Sequence, residues 1–506
     1  MRIKRLISTV AAIIMTVSCL TGCSGCSDKD TALKKESTSA ETTTVTTTMT
    51  LPLTVTIAPE DEDSTASTTT TADDEEVHST TTSEKPQTTT ASDKKETDTT
   101  STKKPTDTTA TTTTKKPSTS KATTTTKKPT TTTTKKPTSN PPQTTDISDF
   151  TTQEIINDMG VGINLGNTFE SCGSWINSSS VSNYEMAWGS CIITEDIIKG
   201  YKNAGFGVVR VPVAWSNMMG SNYQINDDYL ERVKKVVTWI IDNDMYVILN
   251  VHWDGGWINN YNESGMSFSK TYDECKKKYT AIWTRLCEEF GDFDEHLMFE
   301  SLNEEGCFDD LWNRWGGTNG KSEAYGLLND INQIFVDLVR ASGKNNSTRH
   351  LLIAGYATDI DLTCDSAFKM PNDPKGRCAV SVHYYTPPGF CILTEDADWG
   401  KASSTWGTTS EVNALKKYFN KLKTTFVDKG VPVIIGEYGC PQDNKETESI
   451  RKFITTVSKE AIAREICPVL WDTFDRNNPT KCFYNRKTCK MNDSVIAENF
   501  LDLSDN

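Results

Sequence analysis

Residues 431–439 read VPVIIGEYG, and residues 207–213 read GVVRVPV. In each short apolar run an ionisable side chain, Glu437 or Arg210, interrupts branched aliphatic residues. Runs of this kind are typical of strands that are buried on both faces of a parallel sheet. Further stretches with the same apolar character are 161–167, 246–252, 296–304, 349–356, 378–385 and 467–475. The sequence therefore predicts eight strands.

Longer amphipathic segments separate most of these strands. Segments with the apolar spacing of surface helices are 194–205, 227–245, 325–343, 411–430 and 448–466, while 357–377 contains no long periodic helix. Strands that alternate with helices favour parallel βα units, and eight such units predict an α/β protein with a (β/α)8 TIM barrel over residues 147–506. No GxGxxG follows the first strand, which argues against a dinucleotide-binding open sheet.

The N-terminus has the pattern of an export signal. Basic residues precede an apolar run from Leu6 to Leu20, which is too short to favour a membrane span. The next residues complete LTGC at 20–23, which resembles a bacterial lipobox whose cysteine is lipidated. We therefore predict a lipoprotein-type signal peptide over residues 1–22 and lipidation at Cys23; an ordinary cleaved signal is the alternative.

Residues 23–146 are rich in Thr, Lys and Pro and nearly devoid of aromatic residues. TTTTKKPT and close variants recur at 111–118, 123–130 and 131–138. Such a composition cannot bury enough apolar surface to fold, so it predicts a disordered stalk. With the lipobox, the stalk predicts an extracellular protein that is tethered to the bacterial cell surface, with a lipid anchor as its only membrane contact.

The formal net charge of −15 argues against a nucleic-acid partner. The cysteines from Cys172 onward permit disulfides in an exported domain, but their pairing is left open. No two CxxC pairs stand at zinc-ligand spacing, so no structural metal site is predicted. We expect a monomer.

Polar and ionisable side chains recur at the carboxyl ends of the predicted strands, where a (β/α)8 barrel builds its active site. Burial of these groups is costly unless they have partners or a purpose. The candidate site residues are Asn167, Arg210, His252, Asn303, Glu304, His383, Tyr385, Glu437 and Trp471.

Two of these candidates are glutamates on the fourth and seventh strands. Cleavage of a glycosidic bond needs one protonated and one ionised carboxyl group. Glu304 fits the acid and Glu437 the nucleophile, which Arg210 and Tyr385 can hold ionised. Glu305 is a rival for the acid, and Glu300, nearer the middle of its strand, is interpreted as a buried partner of Arg210 or of another base rather than as a catalyst.

The other candidates suit a sugar-binding cleft. Asn303, His252 and His383 can bind hydroxyls, and Trp471 offers a face on which a pyranose ring can stack. Further tryptophans stand mostly in predicted loops, and some must belong to the core: Trp175, Trp188, Trp253, Trp257, Trp312, Trp315, Trp399 and Trp406. Metal catalysis by His252, Asp254, His383 and Glu437 is the alternative, although no HExxH-type spacing supports it.

The motifs GINLGNTFE, VVRVPVAW, VILNVHWDGGW, FESLNEE, SVHYYTPPGF, VIIGEYG and LWDTFD stand in the order seen in glycoside hydrolase family 5. The sequence resembles the bacterial endoglucanase branch of that family, with its xyloglucanases and licheninases, over nearly all of 150–506. The resemblance implies a (β/α)8 fold, retention of anomeric configuration and no cofactor. It also implies that Glu304 is the acid/base and Glu437 is the nucleophile. The family's substrate-site residues fall on Arg210, His252, Asn303, His383, Tyr385 and Trp471.

Two positions depart from the family pattern. Glu305 stands where proline is usual after the NE pair, and Trp253 stands where many relatives have a second histidine. Neither change removes a catalytic group. We expect an endo-β-1,4-glucanase (cellulase) that acts on cellulose, mixed-linkage glucan or xyloglucan. The alternatives are the same chemistry on another β-linked backbone, such as mannan or xylan, and a non-catalytic protein that binds polysaccharide.

Overall fold

The computed structural model describes residues 149–252, 272–307, 312, 314–315 and 319–504. The predicted signal peptide, the lipidation site Cys23 and the Thr-rich stalk lie outside these residues and stay predictions. Trp253, Asp254 and Trp257 also lie outside them. Within the described ranges, no helix is both long enough and apolar enough to cross a bilayer.

Eight parallel strands close into a barrel in chain order, which confirms the predicted fold. The strands are β1 (Gly162–Asn164), β2 (Val208–Val211), β3 (Tyr246–Asn250), β4 (Leu297–Glu300), β5 (Leu351–Ala354), β6 (Cys378–Tyr384), β7 (Val433–Tyr438) and β8 (Ile466–Leu470). At the seam of the barrel, Ile163 of β1 stands opposite Val209 on one side and Leu470 on the other.

Most of the strands are shorter than the apolar stretches predicted. The predicted strand 296–304 ends at Glu300, so Asn303 and Glu304 stand in the loop that follows β4 rather than on the strand. The predicted strand 467–475 likewise ends at Leu470. In both places a buried apolar side chain, Leu302 or Phe474, follows the last residue of the strand, although the backbone has already left the ladder of hydrogen bonds.

Helices surround the barrel. They are α1 (Thr152–Met159), α2 (Val181–Glu185), α3 (Glu195–Asn203), α4 (Asp227–Asp242), α5 (Tyr272–Phe290), α6 (Lys321–Ala341), α7 (Ile360–Thr363), α8 (Pro388–Cys391), α9 (Thr409–Thr425), α10 (Thr447–Ile462) and α11 (Ser494–Ser504). All five predicted helices are present. The 19-residue helix α5 is an addition that the sequence analysis does not predict. The connection after β5 holds only the four-residue α7, in agreement with the absence of a long periodic helix from 357–377.

Helix α1 covers the amino-terminal end of the barrel. It begins with a capping box between Thr151 and Glu154. Its buried face, Ile155, Ile156 and Met159, packs in one cluster with the inward side chains of the strands. The outward side chains of the strands pack against the surrounding helices. The opposite, carboxyl end is the end at which (β/α)8 barrels build their active sites.

Candidate active site

A cavity of about 250 Å³ opens at the carboxyl ends of the strands. Five of the candidates from the sequence line it together: Asn167, Glu304, Tyr385, Glu437 and Trp471. They come from the ends of β1, β4, β6, β7 and β8, so the closure of the barrel brings residues from distant parts of the chain to one cavity.

Glu437 is nearly buried on β7 and has a donor on each carboxylate oxygen. Nη1 of Arg210 donates to Oε1 at 2.8 Å, and the hydroxyl of Tyr385 donates to Oε2 at 3.0 Å. Burial raises the pKa of Glu437, while the charges of His383 and Arg210 act to lower it. The donors therefore favour the ionised carboxylate against the cost of its burial.

The guanidinium of Arg210 is fully buried and donates hydrogen bonds to several side chains of the site. Nε donates to Glu300 at 2.7 Å and Nη2 donates to Oδ1 of Asn303 at 2.8 Å. Glu300 also accepts hydrogen bonds from Asn250 and Ser381. The prediction that Glu300 is a buried partner of Arg210 is thus confirmed. Because Asn303 accepts through its oxygen, its amide NH2 is left to donate elsewhere.

Glu304 lies beside His383 at the mouth of the site. Nδ1 of His383 is 2.7 Å from Oε1 of Glu304 and 3.6 Å from Oε2 of Glu437. One ligand atom from each of these three residues lies within 4.8 Å of the other two. The side chain of Glu304 is 30% exposed, against 6% for Glu437, so the two carboxyl groups have different environments.

His252 is buried behind the cavity. Its Nδ1 is 3.2 Å from the side-chain nitrogen of Asn250, and its ring is parallel to that of Trp471 with centroids 6.0 Å apart. Burial and the charge of Arg210 hold the pKa of His252 well below its ordinary value, so the ring is neutral. The neutral ring is thus a parallel neighbour of the indole of Trp471, which lines the cavity.

Asn167 ends the first strand region in a left-handed backbone conformation, φ 55°, which asparagine tolerates better than most residues. Its backbone N–H donates to the buried Glu170, and its side-chain nitrogen donates to the carbonyl of Trp188 at 3.2 Å. Burial raises the pKa of Glu170 to about 7. This turn directs Asn167 into the cavity.

The sequence analysis missed Arg486, which is buried after the short antiparallel hairpin strand β9 (Tyr484–Asn485), paired with β10 (Lys490–Met491). Its guanidinium donates to the carbonyl of Gly166 at 3.0 Å and to side-chain oxygens of Thr168 and Ser190. A longer contact of 3.4 Å reaches the carbonyl of Asp472. Arg486 thus joins the ends of β1 and β8, where Asn167 and Trp471 stand. No local sequence pattern marked it.

The tryptophans that the sequence places in loops differ in burial, and Trp312 and Trp399 are half-buried. Trp188 and Trp406 are buried, so they belong to the core rather than to a sugar-binding cleft. Trp175 and Trp315 are exposed by more than half. Glu305, the rival acid, is buried and is not among the described residues that line the cavity. Glu304 is therefore the better placed of the two neighbouring glutamates.

Comparison with known proteins identifies the same family as the motifs. Residues 169–477 match the family described as cellulase (glycosyl hydrolase family 5). Endoglucanase A of Clostridium longisporum is 32% identical over 360 residues, which cover 70% of this chain and 65% of that protein. A xyloglucan-specific endo-beta-1,4-glucanase of Bacteroides ovatus is 32% identical over 348 residues, covering 65% of this chain and 66% of that protein.

Among solved structures, a GH5-4 broad specificity endoglucanase from an uncultured bovine rumen ciliate is 36% identical. It superposes with a TM-score of 0.63 and covers 70% of this chain and 98% of its own. The matched region of this chain contains both Glu304 and Glu437, which face one cavity at the carboxyl end of the barrel. The chain therefore belongs to the cellulase family, glycosyl hydrolase family 5, and is a glycoside hydrolase.

Proposed function

We propose that the protein is a retaining endo-β-1,4-glucanase. The observation that carries the proposal is the close approach of Glu304 and Glu437, which each offer a carboxylate oxygen within 4.8 Å of the other. Retaining glycosidases hold their two carboxyl groups about 5–5.5 Å apart, whereas inverting enzymes leave about 6.5–9.5 Å for a water molecule. The spacing supports a covalent glycosyl intermediate rather than direct attack by water.

In the first step Glu437 attacks the anomeric carbon while Glu304 gives its proton to the leaving oxygen. The hydrogen bonds from Arg210 and Tyr385 keep Glu437 ionised and fix its orientation for attack. The greater exposure of Glu304 suits a group that exchanges protons with leaving group and water.

In the second step Glu304 acts as a base. It takes a proton from water, the water oxygen attacks the anomeric carbon, and the bond to Glu437 breaks. The amide NH2 of Asn303 supports both steps, because Arg210 holds the opposite end of this amide and leaves the NH2 for the sugar 2-hydroxyl. Trp471 provides the stacking surface, and the neutral ring of His252 lies parallel to its indole with centroids 6.0 Å apart.

The substrate class is a β-linked glucan. The relatives named as endoglucanases support cellulose or mixed-linkage glucan, and the relative named as xyloglucan-specific supports xyloglucan as the second candidate. A mannan or xylan backbone presents similar glycosidic bonds to the same carboxylates, so the side chains around the cavity decide among them.

The test is a panel of carboxymethylcellulose, barley β-glucan, xyloglucan, mannan and xylan, each incubated with the full chain, with Glu304→Gln and with Glu437→Gln. We expect new reducing ends from at least one glucan and their loss in both variants. Proton NMR of the first products should report the β-anomer. A folded protein that binds glucan but cleaves none of the five would support a non-catalytic binding protein instead.

We also propose that the protein is secreted and attached to the bacterial cell surface through a lipid on Cys23. The support is the basic and apolar N-terminus followed by LTGC and by the Thr-rich stalk. Cells that express the full chain should incorporate labelled fatty acid into it, and Cys23→Ala should abolish the label. Label that persists in Cys23→Ala would contradict the anchor.

A further inference from the structure

We propose that Glu304, His383 and Glu437 form an inhibitory site for a borderline divalent cation, with Zn²⁺ as the representative ion. The binding itself depends only on the geometry of these three side chains. The inhibitory consequence rests on the proposed glucanase function, because the ion would occupy the place where the sugar reacts.

The distances suit a small ion. Nδ1 of His383 lies 2.7 Å from Glu304 and 3.6 Å from Glu437, and the three ligand atoms lie within 4.8 Å of one another. Zinc bonds of about 2.0–2.2 Å separate neighbouring tetrahedral ligands by roughly 3.3–3.6 Å. Glu304 is the partly exposed member, so its side chain has room to make the remaining adjustment.

The charge of the site favours a cation. When Glu300, Glu304 and Glu437 are ionised and His383 is neutral, which is the form that binds a metal, the guanidinium of Arg210 is the one positive charge in the described residues that contacts Glu300 and Glu437, and two negative charges remain uncompensated in a largely buried site. His252 is neutral and adds none. A divalent ion would neutralise this excess.

The lysine that lines the cavity, Lys481, does not neutralise the negative charge of the three carboxylates. Its Nζ lies 3.0 Å from a carboxylate oxygen of Asp443, with which it forms an ion pair.

Nε2 of His383 is buried without a hydrogen-bond partner among the described residues. It can therefore carry the ring proton when Nδ1 turns its lone pair to a metal, and no existing hydrogen bond has to break at Nε2.

The donor set predicts which ions bind. Two carboxylates and one imidazole suit Zn²⁺, Ni²⁺ or Cu²⁺, whereas Mg²⁺ prefers oxygen ligands and near-octahedral geometry.

The experiment is calorimetric titration of the full chain with Zn²⁺ after all accessible thiols are alkylated with N-ethylmaleimide, because the chain has many cysteines. We expect Glu304→Gln and His383→Gln to weaken binding roughly tenfold or more, since each removes one ligand. His296→Ala, which alters a partly exposed histidine beside Asp294, is the matched control and should bind as the parent does. Mg²⁺ should not bind at the same concentration.

A second measurement needs no variant. Zn²⁺ should inhibit glucan hydrolysis by the parent protein, and the inhibition should be competitive with the glucan. Equal zinc affinity in the parent and in both ligand variants, or binding that disappears on alkylation, would overturn the proposal. If the protein cleaves no glucan yet binds zinc through these ligands, the proposed function fails while the metal site stands.

Discussion

The hydroxyl of Tyr385 donates a hydrogen bond to Oε2 of Glu437 at 3.0 Å. This bond stabilises the ionised carboxylate, whose pKa burial raises. Without the donor, the pKa of Glu437 rises further. Since the nucleophile must be ionised, activity is present above this pKa and is lost as the pH falls through it.

Tyr385→Phe should therefore shift the acidic limb of the kcat/KM profile to higher pH. A hydrogen bond to a charged group contributes about 1.5–3 kcal/mol, which corresponds to roughly one to two pH units. Tyr438→Phe is the control, because the buried hydroxyl of Tyr438 interacts with Ser458 rather than with Glu437. An unchanged acidic limb in Tyr385→Phe would contradict the role of this contact.

The two carboxyl roles can be separated with leaving groups. Glu304→Gln should lower kcat/KM on a glucan by about 10²–10⁴-fold, because protonation of the leaving oxygen is lost. An aryl cellobioside whose phenolate leaves without protonation should still release its phenol in this variant. Glu437→Gln should be inactive on both substrates. The assignment of roles would be reversed if the aryl substrate were spared only in Glu437→Gln.

Trp471 should contribute to binding more than to chemistry. Trp471→Ala removes the stacking surface in the cavity, and a loss of about 1–2 kcal/mol raises KM roughly tenfold. Trp175→Ala is the matched control, since the side chain of Trp175 is 67% exposed and does not line the cavity. The KM of each variant is obtained from initial rates of cellotetraose hydrolysis. Equal KM values in Trp471→Ala and Trp175→Ala would contradict the prediction.

Arg349 is a buried guanidinium that donates to the backbone carbonyls of Phe290, Phe293, Asp294 and Leu297. Arg349→Met leaves these acceptors buried without their donor, so the free energy of unfolding should fall by about 3–5 kcal/mol. Arg451→Ala, at a partly exposed ion pair, should cost less than about 1 kcal/mol. The free energies of unfolding of the two variants are measured by urea unfolding, which is followed by circular dichroism.

The fold and the positions of the site residues were predictable because both depend on local pattern. Apolar runs fix where strands lie, and in a barrel the polar residue at the carboxyl end of each run faces one common mouth. Glu304 and Glu437 share a cavity for this reason, although 133 positions separate them in the sequence. The apolar spacing of Tyr279, Ile282 and Leu286 also indicates helix α5, so this helix was predictable from the sequence as well.

Other features depend on contacts between distant segments and leave no local trace. Arg486 stands among lysines and polar residues in the sequence, yet it is buried against the ends of β1 and β8. Trp188 and Trp406 stand in loop-like sequence that does not distinguish them from exposed aromatic residues, yet tertiary packing buries both. The orientation of His383 toward Glu304, rather than toward solvent, likewise depends on how β4 and β6 are arranged around the barrel.

The hydrogen bonds that Arg486 makes to the ends of β1 and β8 have a consequence for folding during translation. The first strand pairs with β8 on one side, and the guanidinium that hydrogen-bonds to the ends of both strands follows β8 in the sequence. During translation, β1 can therefore complete its pairing only after β8 has been synthesised. A chain that terminates between β8 and Arg486 would keep Glu304 and Glu437 and still lack the contacts that hold the ends of β1 and β8 together.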